Sequence, residues 1–180
     1  WEDRNGDGTK DTGESDLTGF STITLYDSGN NVIYTSTSGF VIGINPGTYY
    51  VTYSLPNGYV FSPSGTDSQV DAAGRTANFT AVSGDALTFS AGVYQPVSFT
   101  GRVWIDFNAD GIQGGGEPDL DSVSVELRTS GGTLVDSQTT GTSSGYSFTG
   151  IVPGSYYIQV ALPGGSSFSP LDQGGDDNLD

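Results

Sequence analysis

The chain is written almost twice. WEDRNGDGTKDTGESDL (1–17) aligns without a gap with WIDFNADGIQGGGEPDL (104–120), and ITLYDSGNNVIYTS (23–36) with VELRTSGGTLVDSQ (125–138). INPGTYYVTYSLPNGYVFSP (44–63) aligns with IVPGSYYIQVALPGGSSFSP (151–170), and GTDSQVD (65–71) more loosely with GGDDNLD (174–180). The period of about 103 residues is domain-sized and too long for a solenoid unit. The chain must therefore fold as two copies of one domain, expected at residues 1–95 and 96–180 with Pro96 at the junction. The first copy starts at the tryptophan, whereas VSFTGRV (97–103) leads into the second. The second stops before any counterpart of RTANFTAV (75–82) or LTFSAGVYQ (87–95). The first is thus expected to lack the start of its first strand and the second its C-terminal strands, as in a slice of a longer tandem array.

The local pattern is β throughout. STITLY, NVIYTS, TYYVTYSL, LTFSAGVY, VSVELR and SYYIQVAL alternate apolar with polar residues and are rich in β-branched and aromatic side chains. Turn formers separate them, among them Ser28-Gly29-Asn30, Asn45-Pro46-Gly47, Pro56-Asn57-Gly58 and Ser130-Gly131-Gly132. No window carries a helical period. About seven short strands per ~100 residues predict an all-β fold of tandem Greek-key β-sandwiches of the prealbumin or immunoglobulin-like kind. Alternation also predicts that one tyrosine of each pair, Tyr49-Tyr50 and Tyr156-Tyr157, points inward and the other outward.

The best-matched stretch of the repeat is also the one that carries chemistry. With Asp3 as position 1, oxygen side chains fall at positions 1, 3, 5, 9 and 12, namely Asp3, Asn5, Asp7, Asp11 and Glu14. Gly8 takes position 6, and Thr9 offers a backbone carbonyl at position 7. This is the spacing of the twelve-residue EF-hand calcium loop, in which many hard oxygens surround a large cation and glycine permits the sharp bend. The second copy supplies Asp106, Asn108, Asp110, Gly111, the Ile112 carbonyl and Glu117, with Gly114 at the ninth position. It has one carboxylate fewer, so its site is expected to be weaker, with a water at that position. Strands flank both loops in place of helices, so a structural Ca²⁺ is expected and a helix-opening sensor is not. A second acidic group, Asp176, Asp177 and Asp180, is a further candidate for Ca²⁺. Its counterpart keeps Asp67 and Asp71 but has Ser68 in the middle. Asp16 and Asp119, two residues beyond each loop glutamate, are candidates for extra ligands or for support of the ligands.

Composition narrows the function classes. Without Cys or His the chain has no disulfides, no thiol or imidazole catalysis and no zinc or haem site of the usual kind. Twenty-one acidic residues against five basic ones give a formal charge of -16, which disfavours nucleic acid and anionic membranes. No apolar run approaches the ~18 residues of a membrane span, so no membrane insertion is expected in this segment. The carboxylates sit at calcium-loop spacing and not as an acid–base pair across a cleft, so no enzyme is expected.

The string W-x-D-x-N-x-D-G-x5-E, the following strand, NPGTYYV, LPNGYVFSP and DQGGDDNLD together resemble the B-type repeats of bacterial serine-aspartate repeat surface proteins, of the prealbumin-like, collagen-adhesin B class. The resemblance covers nearly the whole chain. It implies extracellular, calcium-dependent β-sandwich modules in tandem that hold a ligand-binding region away from the cell. It also implies that Asp3, Asn5, Asp7, Asp11, Glu14, Asp106, Asn108, Asp110 and Glu117 are metal ligands, and that Asp176, Asp177 and Asp180 form the family's second acidic motif, from which Ser68 departs. Related modules often contain a Lys–Asn isopeptide bond. The only lysine here is Lys10, inside the first acidic loop, so none is expected. With no covalent staple, calcium is the expected substitute in each small domain. The expected partners are neighbouring repeats of the same chain. The alternatives are other copies in an extracellular filament or sheath, or a carbohydrate or protein ligand.

Overall fold

The computed structural model describes residues 1–17, 22–37, 43–141, 145–171 and 173. The described residues contain strands, bends and turns and no helix. The chain divides into two compact units: unit 1 is residues 1–96 with 152–154, and unit 2 is residues 97–151 with 155–180. Each is an all-β sandwich.

In unit 1, β1 (Thr22–Asp27), β2 (Val32–Ser36), β3 (Gly47–Ser54) and β5 (Phe79–Ala81) form an antiparallel sheet in the order β2-β1-β3-β5. The β1–β2 turn is made by its sequence. The Asp27 carboxylate accepts the N–H groups of Gly29 and Asn31 at 2.8 and 2.9 Å, and Asn30 takes the left-handed conformation at φ 64°. The side-chain amide of Asn31 also donates to Asp27 and, with those backbone bonds, lowers its pKa. A second ribbon pairs β4 (Val60–Phe61) with β6 (Val93–Tyr94). Residues 1–3 run parallel to β6: Val93 N–H donates to the Trp1 carbonyl at 3.0 Å, and Asp3 N–H to the Val93 carbonyl at 2.8 Å.

Leu25, Tyr49, Val51 and Ala81 form one buried cluster of this unit, and Phe61, Val70, Ala91 and Val93 the other. Tyr53 packs against both, and its hydroxyl donates to the Phe89 carbonyl at 2.9 Å. Burial pushes its pKa up to about 12. Two sequence expectations need correction here. Only Val93–Tyr94 of the LTFSAGVY stretch is a strand, because Ser90 exchanges hydrogen bonds with Gln69 in a loop. Tyr49 and Tyr50 are both buried, at 8% exposure each. The outer face at Tyr50 is covered by Tyr26, stacked at 4.9 Å, and by the Arg75 guanidinium 4.0 Å from the ring centre.

Unit 2 contains β7 (Val97–Gly101), β8 (Ser124–Thr129), β9 (Leu134–Thr139), β10 (Tyr146–Ile151) and β11 (Tyr156–Val160). The pair β10-β7 and the sheet β11-β8-β9 enclose Val125, Leu127, Phe148 and Ile151, with Phe99, Tyr156 and Ile158 at the margin. Here alternation holds: Tyr156 is half-buried and Tyr157 is 44% exposed.

Candidate metal centre

The two acidic loops share a common set of hydrogen bonds at positions 1, 3, 5 and 12. The carboxylate at the first position, Asp3 or Asp106, curls over the loop. Asp3 accepts the N–H groups of Gly6 at 2.6 Å and Gly8 at 2.8 Å; Asp106 accepts those of Ala109 at 2.6 Å and Gly111 at 2.9 Å. The Asn5 and Asn108 oxygens accept the N–H groups of Asp7 and Asp110, whose carboxylates accept those of Thr9 and Ile112 at 2.7 and 2.8 Å. The closing glutamate ties the two ends together. Glu14 accepts from Arg4 and Asp11 at 2.8 and 3.0 Å, and Glu117 from Phe107 and Gly114 at 2.9 and 2.8 Å.

Glycine at position 6 is needed for two reasons. Gly8 and Gly111 have φ of 78° and 79°, and a Cβ at either would collide with a backbone carbonyl, that of Pro63 or Pro170. At position 4 the copies differ: Gly6 has φ 70° and Ala109 is forced to 59°.

Burial separates the copies. Asp3 is wholly buried, its charge met by backbone N–H groups, whereas Asp106 is half-buried. The Ser169 hydroxyl does most to lower the Asp106 pKa; desolvation opposes it, and the loop N–H groups of Gly111, Ala109 and Asp110 lower it further. In unit 1 the 65–71 segment closes over the loop. The Gly8 carbonyl accepts the Asp67 and Ser68 N–H groups at 3.1 and 3.0 Å, and the Asp67 carboxylate accepts the Lys10 N–H at 2.9 Å. Spacing within the motif cannot reveal Asp67. Its alignment with the second acidic group is the only signal in the sequence. Asp16 and Asp119 are each engaged by a cation, Lys10 and Arg102, both at 2.6 Å. The bond from Lys10 and its charge lower the Asp16 pKa. Asp176, Asp177 and Asp180 lie outside the described residues.

Among the described residues no three acidic side chains gather as a ready-made metal cluster. The loop carboxylates face backbone N–H groups, and in unit 1 an amide sits among them. Asn5 Nδ2 lies 3.2 Å from Asp7 Oδ2 and 2.9 Å from Asp11 Oδ2, so these three side chains converge on one point. In unit 2 Asn108 Nδ2 donates to Asp110 at 2.7 Å. The donor set is oxygen throughout, as a hard cation such as Ca²⁺ requires, and the residues present fit that ion.

The sequence model of the SdrD B-like domain matches residues 1–93 and again 97–180. The chain belongs to this family, in two copies. The two SdrD B-like repeats are 33% identical over 189 residues to serine-aspartate repeat-containing protein F of Staphylococcus epidermidis (strain ATCC 12228 / FDA PCI 1200), a match covering 100% of this chain and 12% of that protein. They are 30% identical over 190 residues to a fibrinogen-binding protein of Staphylococcus epidermidis, with 100% and 17% covered. Serine-aspartate repeat-containing protein D of Staphylococcus aureus (strain Newman) is 30% identical over 188 residues, with 100% and 14% covered. The chain thus spans less than a fifth of the length of these relatives. A solved structure, the Bacillus anthracis TIE protein, aligns over 81% of this chain and 26% of its own at 15% identity, with a TM-score of 0.32. Membership makes the SdrD B-like repeats extracellular modules of cell-surface proteins and not enzymes.

Proposed function

We propose that the pair of SdrD B-like repeats is a calcium-stabilised spacer within a longer cell-surface protein. The observation that carries this reading is the shared hydrogen-bonded loop at residues 3–14 and 106–117, built from oxygen donors at EF-hand spacing. In unit 1 Asp3, Asn5, Asp7, Asp11, Glu14 and the Thr9 carbonyl would hold the ion. In unit 2 Asp106, Asn108, Asp110, Glu117 and the Ile112 carbonyl would do so. Bound Ca²⁺ supplies charge neutralisation and a cross-link within the loop. The residues fix the loop backbone, leaving little to organise on binding. An ion that binds only the folded form adds RT ln(1 + [L]/Kd), about 2.7 kcal/mol at a hundredfold excess over Kd.

The test is thermal unfolding of the chain in millimolar CaCl₂ and in EDTA, with calorimetric titration of Ca²⁺ into the chelated protein. The expected results are a midpoint several degrees higher with calcium and saturable binding that Glu14→Gln and Glu117→Gln each reduce. Equal midpoints together with no binding heat would overturn the reading. A second reading, direct capture of an extracellular protein, is favoured by the relative whose name records fibrinogen binding. Surface binding of labelled fibrinogen to the immobilised repeat pair tests it.

A further inference from the structure

Both repeats carry a β-bulge at the same place on an outer strand. In unit 1 Leu25 pairs with Tyr34 and Tyr26 with Val32, so Ile33 is the extra residue of β2. In unit 2 Leu127 pairs with Asp136 and Arg128 with Leu134, so Val135 is the extra residue of β9. β2 and β9 are end strands of the sheets β2-β1-β3-β5 and β11-β8-β9. A bulge bends its strand and re-aims a side chain. Here a β-branched apolar residue is held in solvent: Ile33 is 44% exposed and Val135 41%. The residues before them, Val32 and Leu134, are 59% and 48% exposed. This exposure belongs to the repeat. Unit 1 contains β5, β6 and the 65–71 segment, unit 2 contains β7 and β10, and neither set covers the apolar pair.

We propose that Val32 and Ile33 are a lateral contact on which a second copy of this chain packs, pair against pair, with Leu134 and Val135 as a second and weaker contact of the same kind. The open edge does not suit an added strand. In unit 2 the Gln138 side chain donates to the Ser147 carbonyl and accepts its N–H at 2.9 Å, so β10 holds the edge from Gln138 onward. Only Leu134–Ser137 remain, with the bulge among them, and a bulge blunts strand addition. The contact is therefore made by side chains. Charge favours a second copy. Chains of net charge -16 repel one another, yet no charged residue occurs from Ser28 to Thr66. The nearest carboxylate, Asp27, is turned onto the Gly29 and Asn31 N–H groups. Two copies can thus meet at β2 with no carboxylate facing another. At β9 Asp136, next to Val135, would face its twin, which weakens that contact. One such pair falls far below the ~1,200 Å² of a stable interface. Whatever the spacing of the two patches, a second copy has the same spacing, so both contacts can form together and reinforce each other.

The test is sedimentation of the whole 180-residue chain from micromolar to millimolar concentration, in CaCl₂ with low and with high NaCl. The average mass should rise towards that of two chains. High salt should tighten the association at least threefold, because it screens the repulsion between acidic chains. Ile33→Ser should weaken it at least tenfold and Val135→Ser by less. Val32→Ser, at the more exposed position, provides the same test if Ile33→Ser lowers the unfolding midpoint. Amide chemical shifts that change with concentration should centre on Val32, Ile33 and Leu134. The proposal is overturned by a single-chain mass at millimolar concentration in high salt, or by association that Ile33→Ser and Val32→Ser leave unchanged. Association that salt weakens also overturns it, since charged groups would then make the contact. So does a chain that stays single while Ile33→Ser abolishes its capture of fibrinogen, because the patch would then serve a different protein.

Discussion

The backbone N–H of Lys10 donates to the Asp67 carboxylate at 2.9 Å, joining the acidic loop to a segment 57 residues later in the chain. The Gly8 carbonyl receives two N–H groups from the same segment, so the loop is one wall of a closed corner of unit 1. Asp67→Ala removes the charged acceptor and should cost unit 1 about 1–2 kcal/mol. Urea unfolding followed by Trp1 fluorescence checks this, and exchange of the Lys10 amide should accelerate.

Asp3 and Asp106 accept equivalent bonds but differ in burial. Asp3→Ala strands buried N–H groups and should destabilise unit 1 by roughly 2–3 kcal/mol. Asp106→Ala, where water can reach the loop, should cost unit 2 about 1 kcal/mol. Unfolding curves of the two variants in EDTA separate this difference from any effect on metal.

Ala109 holds a left-handed conformation that its counterpart Gly6 adopts freely. Ala109→Gly should therefore stabilise unit 2 by about 0.5–1 kcal/mol, the relief of strain exceeding the entropy that glycine adds to the unfolded chain. Gly111→Ala should have the opposite effect, at about 2 kcal/mol or more, because the Pro170 carbonyl blocks the new methyl. Chemical denaturation of both variants gives the two signs.

Tyr53 keeps its proton in the folded state up to about 12, against an ordinary 10.0. The unfolded chain releases that proton first, so the contribution of Tyr53 is complete below pH 10 and is lost as pH rises from 10 to 12. The slope is at most about 1.4 kcal/mol per pH unit. Unfolding free energies of unit 1 from pH 9 to 11.5 should decline, and Tyr53→Phe should flatten the decline.

Local pattern revealed what local forces decide. Alternation located β1, β3, β8 and β11, partly buried strands bounded by turn formers, and also β2, most of which is exposed. Loop spacing located the acidic side chains, since their hydrogen bonds close within twelve residues. The failures are long-range. Tyr50 is buried by Arg75, and alternation within TYYV has no access to a guanidinium 25 residues away. Residues 87–92 read as a strand but take their partners from Gln69 and Ser62, which belong to loops. The role of Asp67 at the first loop likewise depends on a turn at Gly65 that brings it back to Gly8.

Residues 1–3 and β6 of unit 1 are parallel neighbours, joined through Trp1, Asp3 and Val93. A pulling force applied at Trp1 and just after Tyr94 loads these two strands from opposite ends. Parallel strands drawn from opposite ends slide past each other, so the bonds between them are sheared together and do not unzip one after another. The acidic loop begins at Asp3, on the strand that would have to slide, and any ion clamped there would add directly to the force this unit withstands before it extends.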